Sequence, residues 1–176
     1  MTIYFLRHAS AGQPVSNPKK DERRGLDADG IEQCRQVGRA LAAMEIQVDA
    51  IISSPLKRAS QTAALVANEM GHEGKLQLDP ALRPEASFSQ FRDLLARHGK
   101  ADAIMVVGHN PNLSDFLGRT ITRATSPAEV SLKKGAVAQV ETKRNSSVLR
   151  WCLTPKIVAA IQAMAVESSR PRSSRK

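Results

Sequence analysis

Cysteine, aromatic residues and long apolar runs are all scarce in this chain. Its two cysteines, Cys34 and Cys152, lie far apart, form no CxxC pair and fall within apolar patterns. Both are therefore expected as buried thiols, with no disulfide and no structural zinc. The four histidines, His8, His72, His98 and His109, show no metal-ligand spacing such as HxxxH, and His72 and His98 lie in polar stretches that read as exposed. Neither a metal nor any other cofactor is expected. One Trp, one Tyr and four Phe leave little surface for stacking bases, which argues against nucleic-acid recognition. No stretch approaches the ~20 apolar residues needed to span a bilayer. The apolar opening from Thr2 to Leu6 meets Arg7 and His8 too soon for a secretory signal. A cytoplasmic protein without membrane contact is expected.

Positive charge, by contrast, is abundant: the formal net charge is +9 over 176 residues. It is unevenly spread. Residues 168–176 contain Arg170, Arg172, Arg175 and Lys176 and no acid, a composition expected to be a disordered basic tail. The remaining excess suits an anionic substrate, which it attracts at long range. Residues 1–167 are long enough to form one domain with a real core.

Along the chain, residues 2–6 form a β-branched and aromatic run, the profile of a buried strand with Arg7 and His8 at its C-terminal end. Residues 9–25 are polar and read as a surface loop. Ile31, Cys34, Val37, Leu41 and Met44 recur at helical spacing, predicting one buried face of a helix that begins near Asp27 or Asp29. Residues 49–53 read as a second strand. Ser54 and Pro55 then form an N-cap and first helical position for a helix that runs to about Met70 and stops at Gly71. Residues 76–78 give a weak third strand, and Phe88, Phe91, Leu94 and Leu95 the inner face of another helix. Residues 103–107 are continuously apolar, as in a central strand covered on both faces, and run into Gly108-His109-Asn110-Pro111. Residues 135–141 and 148–153 form a closing hairpin around 143–146. Ile157, Ile161, Met164 and Ala165 suggest a final helix. Alternating strands and helices predict an α/β three-layer sandwich, a mostly parallel central sheet with helices on both faces. Such sheets bind ligands at their C-terminal strand ends, where His8 and His109 meet.

Three segments carry the chemistry: Leu6-Arg7-His8-Ala9, Ser54 to Ala63 (S-P-L-K-R-A-S-Q-T-A), and Gly108-His109. Singly, each has an ordinary structural explanation. Arg58, however, sits in a first helical turn, where the macrodipole disfavours a cation unless an anion is bound beside it. In this order and register the three segments resemble the histidine phosphatase superfamily, also called phosphoglycerate-mutase-like, over roughly residues 1–155. The resemblance implies that His8 is the nucleophile and that Arg7, Arg58 and His109 form the phosphate pocket. Those residue types fit the chemistry, because a neutral imidazole is a competent nucleophile near pH 7 and arginine forks match phosphate oxygens. If protonated, His109 adds a third cationic donor.

Many members carry Arg-His-Gly, whereas Ala9 follows the histidine here. Members that cleave phosphomonoesters supply a carboxylate as general acid. Glu85 is the candidate proton donor, with Asp79 and Asp115 poorer ones. The Arg-His-Ala start, short length and weak acid most resemble the SixA-like branch, whose namesake removes phosphate from phosphohistidine on a signalling protein. The expected activity is thus a metal-independent phosphatase acting on a phosphohistidine-bearing protein. The alternatives are a broad small-molecule phosphomonoesterase or a non-catalytic module that binds phosphate or phosphoproteins.

Overall fold

A computed structural model describes residues 1–122 and 127–168. The elements follow in the order β1 (Thr2–Arg7), α1 (Pro18–Glu22), α2 (Ala28–Ala43), β2 (Ala50–Ser53), α3 (Lys57–Glu69), β3 (Gln77–Leu78), a 3-10 turn (Pro80–Leu82), α4 (Phe88–Arg97), β4 (Ala103–Gly108), α5 (Asn112–Thr122), β5 (Val137–Thr142), β6 (Ser147–Leu153) and α6 (Pro155–Ser168). Six strands form one sheet in the order β3-β2-β4-β1-β5-β6. The pairs β1–β4, β2–β4 and β2–β3 are parallel, and β5 and β6 close one side antiparallel.

Strand alternation divides the core between the two faces. Ile3, Phe5, Ile52, Ile104 and Val106 face α4 and α5, where Phe91, Leu94, Leu113, Phe116 and Leu117 are buried. Tyr4, Leu6, Ile51, Met105 and Val107 face α2 and α3, meeting Cys34, Val37, Leu41, Ala59, Ala63 and Val66. This is the expected three-layer sandwich. Close packing also fixes the loop after β1: a Cβ placed on Gly30 in α2 would lie 2.0 Å from the Ser10 carbonyl oxygen. Gly30→Ala is expected to cost about 1–3 kcal/mol through overpacking, measured as a lower urea midpoint.

Several expectations are corrected. The N-cap of α3 is Leu56, with no side-chain cap bond, so Ser54 is freed for another role. Ile31 and Met44 are exposed at the two ends of α2, where the helix overhangs the core; Cys34, Val37 and Leu41 are buried as expected. The final helix forms as expected, as α6, with Val158 buried and Ile157, Ile161 and Met164 exposed. Cys152 is exposed, on edge strand β6, and Cys34 is buried. His72 and His98 are half-buried rather than exposed. Residues 9–25 contain the short helix α1, and residues 112–122 form α5, two helices additional to those expected. The predicted basic tail lies outside the described residues, apart from Ser168 at the end of α6. Among the described residues no helix is long and apolar enough to cross a membrane.

Candidate active site

The register of the sheet brings the three motif segments together. Arg7 pairs with Gly108, and Ser53 with Val107. The ladder then runs one step further, with His8 N–H donating to Gly108 O at 3.0 Å and Ser54 N–H to Val107 O at 2.9 Å. His8, Ser54 and His109 consequently leave neighbouring strands side by side, and the His8 and His109 rings lie 5.0 Å apart between centroids. Arg58, in the first turn of α3, closes the cluster. His8, Arg58 and His109 are 8%, 6% and 3% exposed, a degree of burial that charged and polar groups tolerate only with partners.

Each side chain is oriented by a specific contact. His8 Nδ1 lies 2.8 Å from Ala9 O; because a carbonyl only accepts, Nδ1 carries the proton and Nε2 keeps its lone pair. His109 Nε2 sits 2.9 Å from Ser54 Oγ. One terminal nitrogen of Arg7 donates to Leu132 O at 2.8 Å. One of Arg58 donates to Asp21 at both the backbone oxygen, 3.0 Å, and Oδ2, 3.1 Å. What remains unpaired is informative. Among the described residues, four buried side-chain nitrogens have no partner: Arg7 Nε, Arg58 Nε, His109 Nδ1 and His72 Nε2. Three of the four belong to the predicted phosphate pocket. Buried polar atoms are normally satisfied, so this concentration marks a place shaped for an absent acceptor.

Burial and neighbouring cations control the charges here. Burial foremost, with Arg58, Arg7 and Arg24 nearby, lowers the His8 pKa to about 4 despite its bond to Ala9. Burial, then His8 and the nearby arginines, pulls His109 down to about 2. Both imidazoles are therefore neutral at pH 7. Burial also lowers both Arg7 and Arg58, but a guanidinium stays charged. For stability the consequence is direct: below pH 6.5 the unfolded chain takes up protons that folded His8 and His109 refuse. Stability is expected to fall as pH drops from about 6.5 towards 4, and His109→Gln should flatten that slope in pH-dependent urea unfolding.

The segment after His8 is pinned rather than free. Ala9 N–H donates to Thr62 Oγ1 at 3.1 Å, and Thr62 Oγ1 donates to Arg58 O at 2.7 Å. Asp27 caps α2 through Gly30 N–H, 2.7 Å, and also accepts from Ser10 Oγ and Gly12 N–H. Beyond it, α1 lies across the site edge: Asp21 meets Arg58 and Arg24, and Glu22 meets Arg83. Asp21, Ser54, Thr62 and Arg83 are the functional surroundings that sequence reasoning missed. Ser54 and Thr62 carried a signal as members of the S-P-x-x-R-A-x-Q-T-A segment, though Ser54 was read there as a helix cap.

The candidate acids fare poorly. Glu85 is exposed, and the Arg83 guanidinium, 2.5 Å from its Oε1, holds its carboxyl below the usual range. Asp79 caps the 3-10 turn and pairs with Arg97, and Asp115 pairs with Arg119 on α5. Asp21 is lowered too, chiefly by Arg24. Among the described residues, no group of three His, Cys, Asp or Glu side chains is placed to hold a metal.

A cluster of two histidines and two arginines at the C-terminal edge of a mostly parallel sheet is the arrangement of a histidine phosphatase. Residues 3–97 match the sequence profile of the histidine phosphatase superfamily, branch 1, and the chain belongs to that family. It is 31% identical over 140 residues to an uncharacterized protein of Picosynechococcus sp., covering 78% of this chain and 82% of that one. It is 21% identical over 159 residues to the phosphohistidine phosphatase SixA of Escherichia coli, covering 88% and 94%. A solved structure of the protein histidine phosphatase SixA complexed with tungstate superposes with a TM-score of 0.77 at 19% identity, covering 89% of this chain and 98% of that one. The fold is phosphoglycerate-mutase-like, and the similarity is to the SixA-like branch.

Proposed function

We propose that the chain is a metal-independent cytoplasmic phosphatase that works through phospho-His8 and removes phosphate from phosphohistidine on a signalling or phosphotransfer protein. The observation that carries this reading is the set of unpaired buried nitrogens, Arg7 Nε, Arg58 Nε and His109 Nδ1, close to an imidazole whose Nε2 keeps its lone pair. Two guanidinium groups and an imidazole at one edge of the sheet fit the equatorial oxygens of a transferring phosphoryl group. The solved SixA holds tungstate, a tetrahedral oxyanion of the same kind.

In the first step His8 Nε2 attacks phosphorus, the bond from phosphorus to the substrate nitrogen breaks, and the departing imidazole leaves neutral with a proton taken from solvent. In the second, water attacks phospho-His8, inorganic phosphate departs and His8 is regenerated. His8 is uncharged at pH 7 because burial lowers its pKa to about 4, so no separate base is needed to expose its lone pair. An arriving phosphate adds negative charge beside His109 and raises its pKa, while Ser54 Oγ steadies the far side of the ring.

The leaving group is read from the acids. An alkoxide needs a proton from a group that holds one at pH 7, and Glu85 and Asp21 are both pushed the wrong way by arginines. Imidazole needs no such help, since its reference pKa is about 6.5. The test is hydrolysis, without added metal, of a phosphohistidine-bearing phosphotransfer domain, p-nitrophenyl phosphate and an alkyl phosphate. Preference for phosphohistidine, with the alkyl ester at least about a hundredfold slower, is expected. Efficient alkyl phosphate turnover with no activity on phosphohistidine would overturn the reading.

A further inference from the structure

The site has an outer collar of cations that the pocket chemistry does not use. Lys19, Lys20 and Arg23 are exposed on and just after α1, whose Asp21 reaches Arg58. Lys57 is exposed immediately before Arg58. Lys133 and Lys134 are exposed between Leu132, whose carbonyl holds Arg7, and Gly135, whose N–H donates to the carbonyls of both Arg7 and His8 at 3.2 Å. Among the described residues, none of these six side chains takes part in an ion pair or hydrogen bond. Several nearby acids are already committed: Asp21 to Arg58 and Arg24, Glu22 and Glu85 to Arg83, and Asp27 to the α2 cap and the Ser10 loop. Three separate segments next to the site residues thus carry exposed positive charge, with Lys134 in electrostatic reach of Asp27.

We infer that this collar is a docking surface for acidic protein segments flanking the phosphorylated residue. The inference rests on the reading above that the phosphoryl group arrives on a protein. A small phosphoryl group is met inside by Arg7, Arg58 and His109. Exposed cations outside contribute little to it at physiological salt, where the screening length is about 8 Å. A protein surface, in contrast, meets several of the six at once, and complementary charge there speeds encounter and selects partners. The scarcity of aromatic side chains gives bases nothing to stack on, so an acidic protein fits better than a nucleic acid.

The test is binding, so that it stands apart from phosphohistidine turnover. Two peptides carry a central phosphonomethyl-phenylalanine, one flanked by Asp and Glu and the other by Ser and Gly. Calorimetry compares them on the wild-type protein and on the quadruple variant Lys19→Gln, Lys20→Gln, Lys133→Gln, Lys134→Gln. The acidic peptide is expected to bind wild type about tenfold more tightly at 50 mM salt, with the advantage shrinking towards unity at 500 mM. In the variant the preference should fall below about twofold, with tungstate affinity and urea midpoint unchanged. Equal or undetectable binding of the two peptides by wild type, or full preference kept by the variant, would overturn the inference. So would a short DNA duplex that displaces the acidic peptide at equal phosphate and carboxylate charge. Failure of phosphohistidine hydrolysis with the acidic preference intact would remove the substrate reading and leave the docking surface standing.

Discussion

His8→Ala is expected to reduce turnover of every phosphorylated substrate by on the order of 10^5-fold, the scale on which losing a covalent nucleophile acts. Arg7, Arg58 and His109 are held by Leu132, Asp21 and Ser54, so their positions do not depend on the His8 ring. Tungstate or phosphate should therefore still bind the variant, within about tenfold of wild type. That combination separates a nucleophile from a mere ligand of the phosphate. Loss of binding in parallel with turnover, or turnover that survives, would deny His8 its role. Stability gives a further check: alanine removes a buried imidazole whose pKa is lowered to about 4, so the variant should lose less stability than wild type between pH 6.5 and 4.

Arg58→Ala is expected to lower kcat/KM by about 10^2- to 10^4-fold, because two charged hydrogen bonds of about 1.5–3 kcal/mol each disappear. One terminal nitrogen of Arg58 is occupied by Asp21, and its unpaired Nε leaves an edge of the fork for phosphate. Arg58→Lys should recover little, since an ammonium supplies charge but no fork. Removing Arg58 also leaves Asp21 facing an incoming phosphate, like charge against like. Asp21→Asn combined with Arg58→Ala should thus be better than Arg58→Ala alone, a non-additivity that a double-mutant cycle on kcat/KM measures directly. An additive cycle would mean that Asp21 does not face the phosphate.

How much of the fold and site is legible in the sequence depends on whether the signal is local. At the strand ends it is: continuous apolar runs that stop at Arg7-His8 and at Gly108-His109 suffice to place both histidines at one edge of the sheet. Arg58 is legible from its place in a first helical turn and from the surrounding motif. Asp21 is not, because it sits among six charged residues and nothing local says which of them reaches an arginine 37 positions later. Ser54 gives a false signal, since Ser-Pro before a helix reads as a cap, whereas its hydroxyl is drawn to His109 by the strand register. The spacing of Leu113, Phe116 and Leu117 is helical, but the turn residues Asn110-Pro111-Asn112 mask the start of α5. In α6 apolar residues occur nearly all round, so periodicity does not choose between Val158 and the Ile157, Ile161, Met164 face.

The central claim is that His8 carries the phosphoryl group between two chemical steps. Rapid-quench mixing of the protein with a phosphotransfer domain bearing 32P-phosphohistidine, followed by alkaline proteolysis, tests it most directly. Label that appears on the peptide containing His8 within the first turnover, is acid-labile, and decays as inorganic phosphate accumulates is the predicted result. Phosphate released at full rate with no label ever on that peptide would contradict the account.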